Sequence, residues 1–322
     1  MKVEVRSKEI VRPSSPTPQS LKNYKLSFID QLALNVRVPF VFFYDSSGAY
    51  SHDHTIDELK KSLSKTLSLM YPLAGRVKDD KVTIECNDEG VEFIVADVAE
   101  IMSCLLENPE MEKIKQLIPI GKVYEPQPVG KALVAVQVNR FCCGGMGFGF
   151  FVSHAIADAS AVAIFFETWA SINRGCAVNG NGFVSDQSTI LFPPLKDTSA
   201  IERSVKMAAE AIEKEEKHMI VKRFVIPSNA IAQLREELIC NENNKRSLQR
   251  PSRAEALTAD SSMEFVGPKI EYFQVRHCVC YVAWNGSLKR VNPCCKLSNG
   301  SHIEESRRQC TTQIAVAKRK DS

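Results

Sequence analysis

Two polar residues interrupt the most apolar stretch of the chain, FGFFVSHAIADASAVAIFFETWASI, which begins at Phe148. His154 and Asp158 lie four residues apart inside it, and both side chains are costly to bury without partners. An imidazole placed here suits a general base, which takes a proton from a hydroxyl or amine as that nucleophile attacks. The stretch therefore predicts either a catalytic site or a purely structural pair.

Helix capping is the structural alternative. Aspartate is a favoured N-cap, so Asp158 would begin the helix that starts ASAVAIFF, with His154 as a hydrogen-bonded histidine of the core. In the functional interpretation His154 is a general base at the end of a strand and contributes about 10² to 10⁴ in rate. The four-residue spacing does not discriminate between the two.

Other stretches that invite a chemical interpretation are weaker. The glycines of CGGMGFGF fit G-x-G-x-x-G in no frame, so they indicate strands that bend or pack closely. His52 and His54 have no third ligand nearby, and the tail segments HCVC and CC lack C-x-x-C spacing. No G-x-S-x-G occurs, so a serine hydrolase of the elbow type is unsupported. We predict no metal site, and the sequence identifies no cofactor-binding residues.

The elements that would position His154 are predicted from periodicity. KALVAVQVNRFCCGGMGFGFFVS indicates two apolar strands joined near Asn139 and Arg140, and the following helix is apolar on nearly every face. Further along, the pattern predicts a strand in MIVKRFVIP between the helices IERSVKMAAEAIEKEEKH and SNAIAQLREELIC. Between residues 173 and 198 the chain has no period and is rich in Gly, Asn, Ser and Pro, which is typical of a long connection.

Upstream, TIDELKKSLSKTLSLMYPLAGR predicts an amphipathic helix. Thr55 and Glu58 have capping-box spacing, and Pro72 ends the pattern. One face of this helix carries Ile56, Leu59, Leu63 and Leu67. After it, KVTIEC and GVEFIVADV alternate like strands, and NDEG supplies the turn chemistry between them.

Composition limits the classes of function. The chain of 322 residues has 44% hydrophobic and 25% charged residues, as ordinary globular proteins have, and no apolar stretch long enough to cross a bilayer. Eleven cysteines without a secretory signal indicate reduced thiols and a cytosolic protein. From Ser261 onward, ten of the 41 basic and five of the 38 acidic residues give a basic tail, which also holds five cysteines. The composition thus changes near residue 260.

The blocks before that point resemble a known family. SHAIADAS matches the H-x-x-x-D signature of the BAHD acyltransferases, plant enzymes that move an acyl group from coenzyme A to an alcohol or amine. LSFIDQL, YPLAGR, the helix with Trp169 and RPSRAEALTA are similar to other family blocks and stand in family order. The resemblance covers about residues 1–260 and is closest to the members that acetylate alkaloids.

The resemblance implies an α/β, chloramphenicol acetyltransferase-like fold of two similar domains with a channel between them. Coenzyme A enters from one side and the acceptor from the other. His154 would deprotonate the acceptor, which attacks the thioester directly without an acyl-enzyme. Asp158 would pair with an arginine and support the catalytic loop. The implied function is transfer of an acyl group, acetyl by preference, to a plant specialised metabolite, with the coenzyme A thioester as co-substrate and no bound cofactor.

The family's D-F-G-W-G hallmark is absent, so the second domain is expected to be incomplete. We expect an N-terminal domain with the H-x-x-x-D loop over residues 1–175, a connection over 176–200 and the start of the second domain over 201–260. The non-family tail, residues 261–322, is expected to be disordered. The alternative function is a non-catalytic fragment or binding module. Expected partners are acyl-CoA and a small-molecule acceptor, with no nucleic acid and no membrane, for a cytoplasmic monomer.

Overall fold

The computed structural model describes residues 1–33, 36–44, 52–119, 128–178, 187–195, 219–226, 228–240 and 312–319, with single positions between 184 and 256. The chain divides into two compact units, with a boundary between Glu213 and Lys214. The helices are α1 Phe28–Leu32, α2 His52–Leu69, α3 Met102–Glu107, α4 Met111–Ile114, α5 Ala159–Asn173, α6 Gln187–Leu191 and α7 Ser228–Cys240. The strands are β1 Val3–Val11, β2 Asn23–Lys25, β3 Arg37–Tyr44, β4 Arg76–Val77, β5 Thr83–Glu85, β6 Val91–Val98, β7 Val134–Phe141, β8 Met146–Ser153, β9 Met219–Ile226 and β10 Thr312–Arg319.

A five-stranded sheet in the order β1-β6-β7-β8-β3 organises the first unit. β6 and β7 run parallel, and the other neighbours run antiparallel. A parallel pair needs a long crossover, and the chain between β6 and β7 contains the short helices α3 and α4. His154, the candidate base, directly follows β8, which lies between β7 and β3 in this sheet.

Helices α2 and α5 cover one face of this sheet. The predicted apolar face of α2 is confirmed, because Ile56, Leu59, Leu63 and Leu67 are all buried in the main core with residues of β6, β7 and β8. The indole Nε1 of Trp169 donates to Leu59 O at 3.2 Å and to Ser62 Oγ at 2.9 Å. Since these bonds join α5 to α2, they fix the helix that follows the H-x-x-x-D loop.

The hairpin of β7 and β8 corrects the predicted position of the turn. The chain reverses between Phe141 and Gly145, with Gly144 at φ 86, and not near Asn139 and Arg140. Asn139 is fully buried within β7 and its Nδ2 donates to Leu117 O at 2.9 Å. A side-chain amide that is hydrogen-bonded in this way is compatible with the interior of a strand. The polar character of Asn139 was therefore a misleading signal for a turn.

Two further boundaries differ from the predictions. α2 begins at His52, so Thr55 lies inside the first turn instead of at the N-cap. The strands expected on either side of NDEG exist, but they do not pair with each other. β5 belongs to a separate three-stranded sheet, β2-β5-β4, whereas β6 pairs with β1 and β7. Turn chemistry at Asp88 and Gly90, both with positive φ, redirects the chain between two sheets.

On the other face of the large sheet, the turn Lys115–Leu117 passes very close to Gly149 of β8. A Cβ built on Gly149 would lie 1.8 Å from Leu117 O, a position that no side chain can occupy. Gln137 Nε2 also donates to Gln116 O at 2.9 Å. The glycine of β8 is therefore required by a close backbone approach, as the sequence pattern predicted.

We expect Gly149→Ala to destabilise the protein by about 3 kcal/mol, the upper end of the usual cost of overpacking, because the backbone of β8 or of the turn Lys115–Leu117 must move. Gly130→Ala is the matched control, since nothing lies within 4 Å of its Cβ position. Gly130→Ala is expected to cost about 1–2 kcal/mol, because its positive φ of 69 strains any residue with a side chain. Urea unfolding of both variants measures the difference, and equal midpoints would contradict the close approach.

In the segment between residues 173 and 198, expected to be a long connection, the described residues include the short helix α6. It packs on α1, because Phe28 N donates to Phe192 O and Leu195 N donates to Gln31 Oε1, both at 2.9 Å. Of the helix predicted in IERSVKMAAEAIEKEEKH, the structure describes Arg203, Ser204, Met207 and Glu210, all helical.

The second unit contains the predicted strand β9 and the predicted helix α7. β9 pairs antiparallel with β10 over its whole length, from Met219 opposite Arg319 to Ile226 opposite Thr312. β10 is the only part of the non-family tail that the structure describes. The disorder expected for residues 261–322 otherwise concerns residues outside the described part of the chain. In RPSRAEALTA, Arg253 and Ala256 are described and helical.

Candidate active site

The loop that carries His154 is held by backbone hydrogen bonds on three sides. Ser153 N donates to Leu133 O at 2.8 Å, and His154 N donates to Val36 O at 2.9 Å. Ser153 O accepts from Ile156 N at 3.2 Å. The loop is thus tied to the residues that precede β7 and β3, which places His154 at the end of the central hairpin.

Asp158 ends this loop and begins α5. Its backbone is extended, and its Oδ1 accepts from Ala161 N at 2.7 Å. The capping interpretation of Asp158 is therefore confirmed. The side chain is exposed, and no arginine pairs with it among the described residues of the first unit. The arginine partner implied by the resemblance stays a prediction.

One ring nitrogen of His154 has no partner among the described residues. The residue is half-buried, and its Nδ1 is fully buried without a hydrogen bond in the part of the chain that the structure describes. An unpaired buried polar atom is destabilising, so stability alone does not explain this arrangement. The buried Nδ1 leaves Nε2 as the ring nitrogen that a substrate could approach.

Apolar contacts set the position of the loop. Ile156 packs against both the main core and a smaller cluster that includes Leu26, Ile84 and Leu133. Ala157 is buried as well. Because residues on both sides of this loop are anchored, His154 is presented on a rigid support, which general base catalysis requires.

Sequence reasoning missed two residues beside the site. Arg37, opposite Ser153 in the sheet, has its guanidinium 4.7 Å from the centre of the Phe151 ring. Ser153 is fully buried, and its Oγ has no partner among the described residues. The signal available for Ser153 was its place directly before His154 in an otherwise apolar strand.

Among the described residues, cysteine and histidine side chains form no competing centre. Burial raises the pKa of the Cys86 thiol to about 11, so it is protonated at neutral pH and unsuited to act as a nucleophile. No group of three metal-ligating side chains occurs among the described residues. The side chains of His52 and His54 and the tail segments HCVC and CC lie outside that part of the chain. No described helix has the length and apolar character needed to cross a membrane.

The cap at Asp158 gives a prediction about stability. We expect Asp158→Ala to lower the free energy of unfolding by about 0.5–2 kcal/mol, because Ala161 N loses its partner at the start of α5. Asp158→Asn keeps a capping oxygen and should stay within a few tenths of a kcal/mol of the parent. Chemical denaturation of the two variants compares them, and equal losses would show that the cap contributes nothing.

The chain is similar to known proteins over most of its length. The family described as Transferase family matches residues 1–260. Limonoid 21-O-acetyltransferase of Melia azedarach is 39% identical over 259 residues, which are 80% of this chain and 57% of that protein. Salutaridinol 7-O-acetyltransferase of Papaver somniferum is 35% identical over 274 residues, with 80% and 57% covered. The chain spans slightly more than half the length of these relatives.

Solved structures agree with the sequence comparison. The crystal structure of vinorine synthase matches with a TM-score of 0.63 and 31% identity, over 83% of this chain and 63% of that one. TRI101 of F. sporotrichioides, solved with coenzyme A and T-2, matches with a TM-score of 0.55 at 17% identity, over 74% and 58%. The second match supports the fold alone. The α/β fold class implied by the resemblance is confirmed.

The evidence for the family is thus threefold. The match covers most of the chain, the relatives are acetyltransferases by name, and the fold is shared with vinorine synthase, itself a relative at 36% identity over 242 residues. The chain belongs to the BAHD acyltransferase family.

Proposed function

We propose that this chain acts in the transfer of an acyl group, acetyl by preference, from a coenzyme A thioester to a hydroxyl or amine of a plant specialised metabolite. The observation that carries the proposal is the half-buried His154, held by backbone bonds at the end of β8 with its Nδ1 buried. Two relatives are named as O-acetyltransferases, one of limonoids and one of salutaridinol. Their names support acetyl as the transferred group and a hydroxyl as its acceptor.

In the proposed reaction the neutral imidazole of His154 is the general base. Nε2 accepts the proton of the acceptor hydroxyl as its oxygen attacks the thioester carbonyl, which gives a tetrahedral intermediate. The carbon–sulfur bond then breaks, and the leaving thiolate takes the proton from Nε2. The products are the acylated acceptor and free coenzyme A, and His154 is neutral again.

Asp158 has no place among the reacting groups in this proposal. It is exposed at the N-cap of α5 and holds the end of the loop through Ala161 N. We assign it a supporting role, completed by the arginine partner that the resemblance implies. The working protein is proposed to be a cytoplasmic monomer that needs no bound cofactor.

The change in composition near residue 260, where the family match ends, favours a second candidate function. The chain is also proposed as a non-catalytic fragment or binding module that keeps the first unit and the His154 loop without turnover. In that case the geometry around His154 would persist without acyl transfer.

A steady-state assay separates the two. The 322-residue protein is incubated with acetyl-CoA and a panel of alcohol acceptors, and release of the free thiol is measured with and without each acceptor. Thiol release that depends on an acceptor supports the enzyme. Binding of acetyl-CoA by calorimetry without any release supports the binding module.

A further inference from the structure

Two hydroxyl residues that each precede a proline follow β1 in quick succession. Ser15 precedes Pro16 and Thr17 precedes Pro18, and the sequence contains no other serine–proline or threonine–proline pair. Proline-directed protein kinases phosphorylate a serine or threonine at this position. A residue before proline is biased toward extended backbone, which is the form in which a kinase binds its substrate. Both pairs meet this local requirement, so only their surroundings in the fold can separate them.

Ser15 lies on the surface, in a segment without regular structure. Residues 12–18 belong to no helix or strand, and Ser14 and Ser15 are exposed. The segment is attached to α2, because Ser14 N donates to Ser64 O and Ser15 N donates to Ser68 Oγ, both at 3.0 Å. Its prolines have no N–H and cannot add bonds of this kind. A short segment held by surface hydrogen bonds opens locally at low cost, so a kinase can reach Ser15.

Thr17 is held differently, although it is only two residues away. It is 6% exposed, and the carboxylate of Asp88 accepts from its N at 2.9 Å and from its Oγ1 at 2.5 Å. Lys22 Nζ pairs with the same carboxylate at 2.9 Å. A kinase must take the substrate hydroxyl into its active site, so both bonds between Thr17 and Asp88 would have to break first. The fold therefore presents Ser15 and withholds Thr17.

We propose that Ser15 is a phosphorylation site for a proline-directed protein kinase, and that the bonds between Thr17 and Asp88 protect the neighbouring pair. In the reaction Oγ of Ser15 forms a bond to the γ-phosphorus of ATP. The bond from that phosphorus to the bridging oxygen of ADP breaks, and the hydroxyl proton passes to the catalytic aspartate of the kinase. The products are phosphoserine and ADP. This modification does not depend on the proposed acyl transfer.

The surface around Ser15 tolerates the added charge. Phosphoserine carries about −1.5 to −2 at pH 7, and negative charge is unfavourable near the C-terminal turn of α2, where Ser68 lies. Arg12, three residues before Ser15, and Lys65, three residues before Ser68, are both exposed and offset this effect. We therefore expect the phosphorylated protein to stay folded, with a thermal midpoint within about 3 °C of the parent.

Mass spectrometry after kinase treatment tests the site. The full 322-residue chain is incubated with ATP and a mitogen-activated protein kinase, and a synthetic peptide of residues 9–21 is treated in parallel. Fragment spectra separate phosphate on Ser15 from phosphate on Thr17. In the folded chain Ser15 should react at least about tenfold faster than Thr17, the factor that one charge-assisted hydrogen bond represents. In the peptide, which lacks Asp88, both residues should react, and Ser15→Ala should remove the phosphate from the folded chain.

Asp88→Gly is the matched variant for the protection of Thr17. Asp88 has a positive φ of 59, which glycine adopts readily, so the change removes the carboxylate with little backbone strain. Thr17 should then react at a rate close to that in the peptide, while Ser15 is unaffected. If Thr17 stays unreactive in the folded variant, the role given to Asp88 is wrong.

Two results with the unmodified chain would overturn the proposal. One is equal phosphorylation of Ser15 and Thr17 in the folded protein, and the other is no phosphate on Ser15 in the folded protein or in the peptide. Because the comparison of protein with peptide needs no variant, it decides the matter even if Asp88→Gly fails to fold.

Discussion

Replacing His154 with alanine is expected to reduce acyl transfer by about 10² to 10⁴ while the protein stays folded. The size of the loss is that of a missing general base, since the acceptor hydroxyl must then give its proton to water. The fold should survive because the loop is held by backbone bonds and by Ile156, none of which involves the imidazole.

The measurement compares kcat/KM for acetyl transfer in the parent and in His154→Ala, with circular dichroism and thermal unfolding as the test of folding. Ser64→Ala is the control, since it removes a hydroxyl bonded to Arg12 O away from this loop. Undiminished acetyl transfer in a folded His154→Ala protein would rule out His154 as the base.

A second large effect is expected when residues 261–322 are replaced by the corresponding second half of a relative, such as the limonoid acetyltransferase. We expect turnover of acetyl-CoA to rise by at least roughly 10²-fold, because binding energy from distant parts of coenzyme A positions the thioester for attack. The resemblance implies that the second domain supplies much of that surface. Residues 1–260 provide His154 but span little more than half of the relatives' length.

The 322-residue chain and the chimaera are also expected to differ in their sensitivity to proteases. Limited proteolysis with mass readout should cut the 322-residue chain first near residue 260, because the tail is basic, rich in scattered cysteines and without an apolar period. The chimaera should lose this cleavage. A tail as resistant as the first 200 residues would show that it folds, and robust His154-dependent turnover by the unmodified chain would contradict the need for a second half.

Sequence alone determined the elements whose signals are local. The apolar face of α2 with Leu63 and Leu67, the strand β9 and the helix α7 follow from periodicity, because side chains at those spacings share one face wherever the element packs. The N-cap at Asp158 is local too, since a carboxylate bonds a backbone N–H only three residues away. The family and the candidate base could likewise be named from a short motif and its neighbouring blocks.

Tertiary structure decided what depends on distant segments. Asn139 is compatible with a strand interior because its amide finds partners there, one of them the carbonyl of Leu117, 22 positions away. β5 and β6 separate into different sheets because each finds partners elsewhere, and no local pattern encodes that choice. The burial of Nδ1 of His154 was equally hidden, because the burial of one ring atom is a property of the assembled structure that no local pattern encodes.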